Sequence, residues 1–198
     1  MKYKVAIFDA DGVLTIPKEL FSEQYVRNHG GDLNQLSGFF KNDFQNAIIG
    51  KADLKELIAE YHDVWQWNGS PDELLSMWFR NENIQNKPML ELVATVRNAG
   101  VPCYLATNQE KYRGEYMREI MFPGIFDYYF ISSEMGCKKP EQEYFEKLLS
   151  KVAEDHPRVK PKEIIFLDDT VSHVEGAKKL GINAHLFESV YQAESLLI

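Results

Sequence analysis

The sequence predicts an α/β fold, a doubly wound parallel sheet that carries an inserted helical domain, and three observations lead there. Short apolar runs recur at residues 5–8, 101–106, 128–131, 164–167 and 184–187, each the length of a strand buried on both faces. Helical patterns with start and stop signals separate the later runs. The segment 15–86 shows helices and no convincing strand.

Taken in order, Val5-Ala-Ile-Phe8 runs directly into the acids Asp9 and Asp11. That is the pattern of a buried parallel strand whose C-terminal end opens onto a site. In the following segment, Asp53-Leu-Lys-Glu56 is a capping box opening an apolar-periodic helix through Leu54, Leu57, Ile58 and Tyr61. Ser70-Pro-Asp-Glu73 is a second, with Pro71 at the favoured first helical position. About seventy residues of helix between the first two strands exceed an ordinary crossover. Residues 15–86 therefore read as a helical cap domain, and residues 1–14 with 87–198 as the core domain. Trp65, Trp67, Trp78 and Phe79 are assigned to the cap's own core, a substrate-facing aromatic wall being the alternative. Further on, a helix over 88–99 turns Leu90, Val93 and Ala94 to one face and stops at Gly100. Helices over 109–121 and 140–152 follow, and one over 172–180 stops at Gly181. Strands alternating with helices imply a parallel sheet with right-handed crossovers.

A chain of 198 residues allows one substantial core, or a core with a small inserted domain. Lys and Arg number 22 against 30 Asp and Glu, a formal net charge of −8. This argues against a nucleic-acid partner, which needs a basic face. A small anionic substrate stays open, because a few local cations and a metal suffice to hold one. Cys103 and Cys137 make no disulfide framework and suit a reducing cytoplasm. No apolar run approaches a membrane span, and no signal peptide precedes the first strand, so a cytoplasmic location away from the membrane is expected.

The chemistry-bearing residues fall at strand ends. Asp9 and Asp11 lie two apart, so in extended backbone both carboxylates point the same way. One would attack or bind metal while the other handles a proton. A calcium loop starting at Asp9 is excluded, because its glycine position holds Leu14 and its closing glutamate position Leu20. Thr107 and Asn108 end the second strand just before a helix expected near Gln109. A hydroxyl and free N–H groups there make an anion site, or else a routine helix cap. Lys139-Pro140 opens another helix, where a lysine would meet a phosphate as a point charge, although the dipeptide also occurs as Lys87-Pro88. Asp168-Asp169-Thr170 follows the strand at 164–167. Adjacent carboxylates repel unless a cation lies between them, and oxygen ligands beside phosphate favour magnesium. All four features sit where open α/β sheets bind ligands.

In order and placement these segments resemble the haloacid dehalogenase (HAD) superfamily, in its phosphatase branch with a helical C1 cap after the first strand (subfamily I). The four family motifs appear as Phe8-Asp-Ala-Asp-Gly-Val-Leu-Thr15, Leu105-Ala-Thr-Asn108, Gly136-Cys-Lys-Lys-Pro140 and Phe166-Leu-Asp-Asp-Thr170. Gly176-Ala-Lys-Lys-Leu-Gly-Ile182 is similar to the family's helix and turn after the last motif, and Ile49-Gly-Lys-Ala-Asp-Leu-Lys-Glu56 to its cap. The resemblance implies a Mg2+-dependent phosphatase that acts on a small phosphorylated metabolite through an aspartyl-phosphate. Asp9 is then the nucleophile. Asp11 protonates the leaving oxygen, activates water afterwards, and lends its backbone carbonyl to magnesium. Asp9 and Asp169 give carboxylate ligands, and Asp168 acts through a metal-bound water. Thr107, the N–H of Asn108 and Lys139 hold the phosphoryl oxygens, while Lys138 is left to solvent.

Asp11 implies phosphate-ester hydrolysis or phosphomutase chemistry, since dehalogenases of the family lack an acid there. One departure is His173, where the family often has Asn; it reads as a pH-sensitive substitute or as a partly exposed structural histidine. His29, His62, His156 and His185 show no metal-ligand spacing. The rival readings are a phosphoacceptor receiver domain, a non-catalytic phosphate-binding module, and a sugar-phosphate mutase that shares the whole core. Specificity is expected in the cap, with Lys18, Arg27, Lys41, Phe44 and Lys51 as candidates, on a monomer or homodimer.

Overall fold

Five short strands, β1 (Val5–Phe8), β2 (Cys103–Thr107), β3 (Tyr128–Ile131), β4 (Ile164–Asp168) and β5 (Asn183–Leu186), pair in parallel in the order β3-β2-β1-β4-β5. The computed structural model in which they are seen describes residues 2–198. β1 is central, with Phe8 opposite Leu105 on one side and Leu167 on the other. That register brings Asp9, Thr107 and Asp168 to the same edge of the sheet. β1, β2 and β4 are buried along their whole length, as strands covered on both faces require. β2 starts two residues later than the apolar run suggests, because Pro102 has no N–H for the ladder.

Within residues 15–86 the chain forms six helices: α1 (Phe21–His29), α2 (Leu33–Lys41), α3 (Phe44–Ile48), α4 (Leu54–Glu60), α5 (His62–Trp65) and α6 (Pro71–Glu82). α6 begins with the full Ser70–Glu73 capping box. At α4, Asp53 accepts from the N–H of Lys55 at 2.8 Å, but Glu56 does not close the reciprocal bond. Trp65, Trp78 and Phe79 are buried in one cluster with Phe21, Tyr25 and Phe39, while Trp67 packs half-buried against it. Phe39 meets Trp65 edge-on at 4.7 Å, a favoured aromatic geometry. Two adjacent chain crossings join these helices to the sheet. Ile16 donates to Ile84 and Asn86 to Leu14, both at 2.8 Å, and the Asn86 side chain donates to Val13 at 2.9 Å.

The remaining helices cover the sheet. α7 (Lys87–Asn98), α8 (Lys111–Tyr116), α9 (Ser132–Met135), α10 (Gln142–Asp155), α11 (Val171–Lys179) and α12 (Val190–Leu197) follow in order. One face of the sheet packs Phe8 and Leu105 with Val93, Met117 and Leu197. The other packs Ile7 and Phe166 with Phe145, Leu148 and Val174. α7 buries Met89, Leu92, Val93 and Val96 and leaves Ala94 exposed. The expected face is thus turned, because the larger side chains take the sheet-facing positions. The helix expected over 109–121 starts only at Lys111 and ends in a π-helical turn, Met117–Met121. Among the described residues no helix is long and apolar enough to cross a membrane.

Candidate active site

Asp9 leaves β1 with its N–H bonded to Leu167 at 2.9 Å, so the sheet itself fixes its position. Its Oδ1 accepts from the N–H of Ala10 at 2.7 Å and lies 2.9 Å from Lys139 Nζ. Lys139 is 1% exposed. Its ammonium also donates to Asp168 Oδ2 at 2.6 Å and to the Ala106 carbonyl at 2.8 Å, so all three of its donors are directed. Asp168, fully buried, further accepts from the N–H of Thr170 at 2.8 Å and faces His173 Nδ1 at 3.0 Å. That imidazole nitrogen, set against a carboxylate, carries the proton. His173 is therefore a partner of the acid pair and not merely a surface histidine.

These contacts separate the carboxylates electrostatically. Burial pushes the Asp168 carboxyl up, but the His173 hydrogen bond and the Lys139 charge outweigh it and hold the group at about 2. Asp9 moves well above the ordinary carboxylate range, because burial and the neighbouring Asp168 exceed the pull of Lys139. Burial and Asp168 also raise Asp169. Lys139 stays above its ordinary value: burial opposes its charge, but Asp9 and Asp168 more than compensate. Two carboxylates share one lysine and a third, Asp169, stands beside them, so the cluster is short of positive charge.

Asp11 faces other partners. Arg113 grips its carboxylate with both terminal nitrogens, at 2.9 and 3.1 Å. Gln109 Nε2 donates to it at 2.5 Å and Thr15 Oγ1 at 2.7 Å. Arg113 is buried and also pairs with Glu82 at 3.1 Å, while Glu82 accepts from the N–H of Phe21 at 2.9 Å. One arginine of α8 thereby ties Asp11 to the last turn of α6 and the first turn of α1. Burial disfavours the Arg113 charge, but Asp11 and Glu82 overcome this and raise it. Arg113 and Glu82 carry no signal in the sequence, where Gln109 stands out only as a helix start and Thr15 only as the end of the first motif. Gln109 lies 98 positions from Asp11, and Arg113 falls inside the helix expected over 109–121, with no local pattern to single it out.

Thr107 is buried at the end of β2, and Asn108 clamps the Lys139 backbone, donating to its carbonyl and accepting from its N–H, both at 2.9 Å. Thr107 and Asn108 end β2 as expected but do not stand at a helix N-terminus. α8 starts at Lys111, and the carboxylate of Glu110 already caps its N-terminus through Tyr112 and Arg113 at 2.8 and 2.6 Å. Likewise α10 starts at Gln142, which leaves Lys139 in a loop.

The donor set suits a hard divalent ion. Among the described residues, Asp9 Oδ2, Asp169 Oδ2 and the Asp11 carbonyl accept no hydrogen bond, and oxygen atoms of this kind are magnesium ligands. Gly12 has φ +80°, and a Cβ there would stand 1.9 Å from Asp169 Oδ2, so glycine is what lets that carboxylate approach. Asp9, Asp168 and His173 also bring donor atoms within 4.8 Å of one another. In that group, however, His173 Nδ1 and both Asp168 oxygens are already taken by each other, Lys139 and Thr170.

A cavity of about 1130 Å³ opens above this edge and gathers Asp9, Asp11, Thr107, Asn108, Lys139 and Asp169, with Asp168 lying behind them. Of the cap candidates, Lys41 and Phe44 line it, whereas Lys18, Arg27 and Lys51 do not. Arg27 pairs instead with Glu19 on the surface. Lys138, expected in solvent, donates to Gln45 Oε1 at 2.6 Å and so bridges to α3. A separate hollow of about 660 Å³, beside Arg97, Asp127 and His156, holds none of these residues.

Residues 3–181 match the family described as haloacid dehalogenase-like hydrolase. The chain is 26% identical over 194 residues to sesquiterpene phosphatase astK of Aspergillus oryzae, covering 95% of this chain and 92% of that protein. It is 24% identical over 214 residues to bifunctional epoxide hydrolase 2 of Sus scrofa, a match that covers 92% of this chain and 36% of the relative. A HAD family enzyme from Bacteroides thetaiotaomicron, crystallised as a complex with magnesium and inorganic phosphate, superposes with a TM-score of 0.77 at 22% identity over 94% of each chain. A HAD-like family hydrolase from Porphyromonas gingivalis gives 0.78 at 18% identity, over 100% of this chain and 98% of that one. At such identities these structural likenesses are ones of fold.

Proposed function

The chain belongs to the haloacid dehalogenase-like hydrolase family, and from that premise we propose that it is a Mg2+-dependent phosphomonoesterase working through an aspartyl-phosphate on Asp9. The observation that carries this reading is the division between two neighbouring acids. Asp9 faces the buried lysine at 2.9 Å, while Asp11 is held apart from it by Arg113 and keeps a side chain 40% exposed at the cavity. One acid is placed for a covalent step and the other for a proton.

Asp9 attacks phosphorus, forming an aspartyl O–P bond as the ester P–O bond breaks. Asp11 gives its proton to the departing alkoxide. Water then attacks the same phosphorus, Asp11 takes its proton, and phosphate leaves Asp9 as the free carboxylate. The net reaction consumes one water per ester. Thr107, the N–H of Asn108 and Lys139 hold the phosphoryl oxygens. Lys139 gives up part of its contact with Asp9 to do so, and Asp168 and His173 keep the ammonium aimed. Asp9, Asp169 and the Asp11 carbonyl would hold magnesium, with Asp168 acting through water, and the ion would neutralise phosphoryl charge as a Lewis acid. The cap, residues 15–86, closes on the core formed by 1–14 and 87–198 and excludes water.

Support comes from a relative named as a phosphatase and from a structural relative captured with magnesium and inorganic phosphate. The test is phosphate release from p-nitrophenyl phosphate. Release is expected with magnesium, is lost with chelator, and falls by roughly 10⁴-fold or more in Asp9→Asn. Undiminished release by that variant overturns the mechanism.

A further inference from the structure

We propose that the alcohol esterified to the phosphoryl group is apolar: the site takes a phosphomonoester of a hydrocarbon chain or ring whose tail lies along the inner face of the cap. The inference rests on the phosphatase reading and adds the substrate class. Chemistry divides the cavity sharply. Every lining residue from the sheet domain is polar, charged or glycine, and every apolar lining residue comes from residues 16–78. Phe21 and Trp78, nearly buried, are stacked at 4.8 Å, and Phe40 stands edge-on to both, so an aromatic cluster backs this wall. Ile16, Leu20 and Leu33 line the same cavity yet remain 47%, 60% and 43% exposed. Large aliphatic side chains gathered at one hollow mark a surface that something covers.

The polar groups on this wall are mostly engaged. Gln45 bonds Phe40 and Lys138, Glu23 bonds the N–H of Leu20, and Glu82 bonds Arg113 and Phe21. Ser22, Ser37 and Lys41 are what remains among the polar cap residues lining the cavity. They are too few to replace the water around a polyol or a nucleoside, whose hydroxyls would go unpaired on burial. A hydrocarbon needs no such partners, and the volume accommodates a ligand well beyond phosphate.

The experiment uses two n-alkyl series, ethyl to octyl, below their micellar concentrations. Alkylphosphonates, which cannot be hydrolysed, are titrated by calorimetry, and alkyl phosphates are followed by phosphate release. Affinity and kcat/KM are expected to rise roughly two- to fourfold per methylene, with glucose 6-phosphate far below octyl phosphate. In the double variant Leu20→Ser, Leu33→Ser the slope flattens; serine is the better helix cap at residue 20, so α1 is retained. A flat phosphonate series, or an undiminished slope in the double variant, overturns the proposal even if p-nitrophenyl phosphate is cleaved. A rising phosphonate series with no ester hydrolysed leaves the apolar site standing and removes the phosphatase reading.

Discussion

Two walls face each other across the cavity and are built by opposite means. On the sheet wall, Asp9, Lys139 and Asp168 are buried, and each is held by named partners at hydrogen-bond distance. On the cap wall, Phe21, Phe40, Phe44 and Trp78 are held by ring packing, and the buried Trp78 Nε1 has no partner among the described residues. Under the proposed function the difference follows from the work each does. Charge stabilisation needs donors placed within tenths of an ångström, which strand ends in register supply. An apolar surface needs area and shape, and packing supplies these with tolerance for exchange. Damage on the sheet side should therefore be steep, and damage towards the cap graded.

The largest effect expected to sharpen this contrast is at Asp11. Asp11→Asn should lower kcat by about 10²–10⁴-fold, and more for an alkyl phosphate than for p-nitrophenyl phosphate, whose leaving group needs no proton. Equal losses on both esters would remove the acid role. Next is the link between the walls. Arg113→Met leaves the buried Glu82 carboxylate without its cation, a loss of about 3–5 kcal/mol in urea unfolding. Arg113→Lys should restore only part, since an ammonium cannot make the two-pronged grip. A wild-type midpoint in Arg113→Met would mean that the two walls are not joined there.

A smaller effect comes from Glu110. Burial raises its carboxyl from an ordinary 4.5 to about 7, against the N–H groups of Tyr112 and Arg113. The folded state then binds the proton more tightly than the unfolded chain. Stability falls as pH rises between those two values, by on the order of 3 kcal/mol, and stays lower above them. Glu110→Gln should flatten that part of the stability–pH curve; an unchanged slope would assign it elsewhere. The smallest is Lys138→Ala, which removes a half-buried bridge to Gln45 and should cost less than about 1 kcal/mol, with at most a modest rise in KM.

Legibility in the sequence tracked distance along the chain. Residues 5–8 and 128–131 coincide with β1 and β3 because an apolar run between polar ends is a local signal. Ser70 and Glu73 start α6 three residues apart, equally locally. The start of α8 differs from the expected one because Glu110 caps it in place of the Thr or Asn before it. The face of α7 was turned because periodicity admits more than one stripe, and packing on the sheet chooses. Trp78, expected in the helical domain's own core, is buried there and also borders the cavity.

By itself the sequence determined the parallel α/β order, the helical insertion after the first strand, and the clustering of Asp9, Thr107, Lys139 and Asp169 at strand ends and in the loops after them. Each depends on residues adjacent in the chain. Only the tertiary structure decided which group each of them meets: Lys139 between Asp9 and Asp168, His173 on Asp168, Arg113 between Asp11 and Glu82, Lys138 on Gln45. Lys139 and Asp168 are 29 positions apart, and Arg113 and Asp11 are 102. Hydrogen bonds and ion pairs depend on separations of a few ångströms and on angle, and over such spans local pattern carries no information about either.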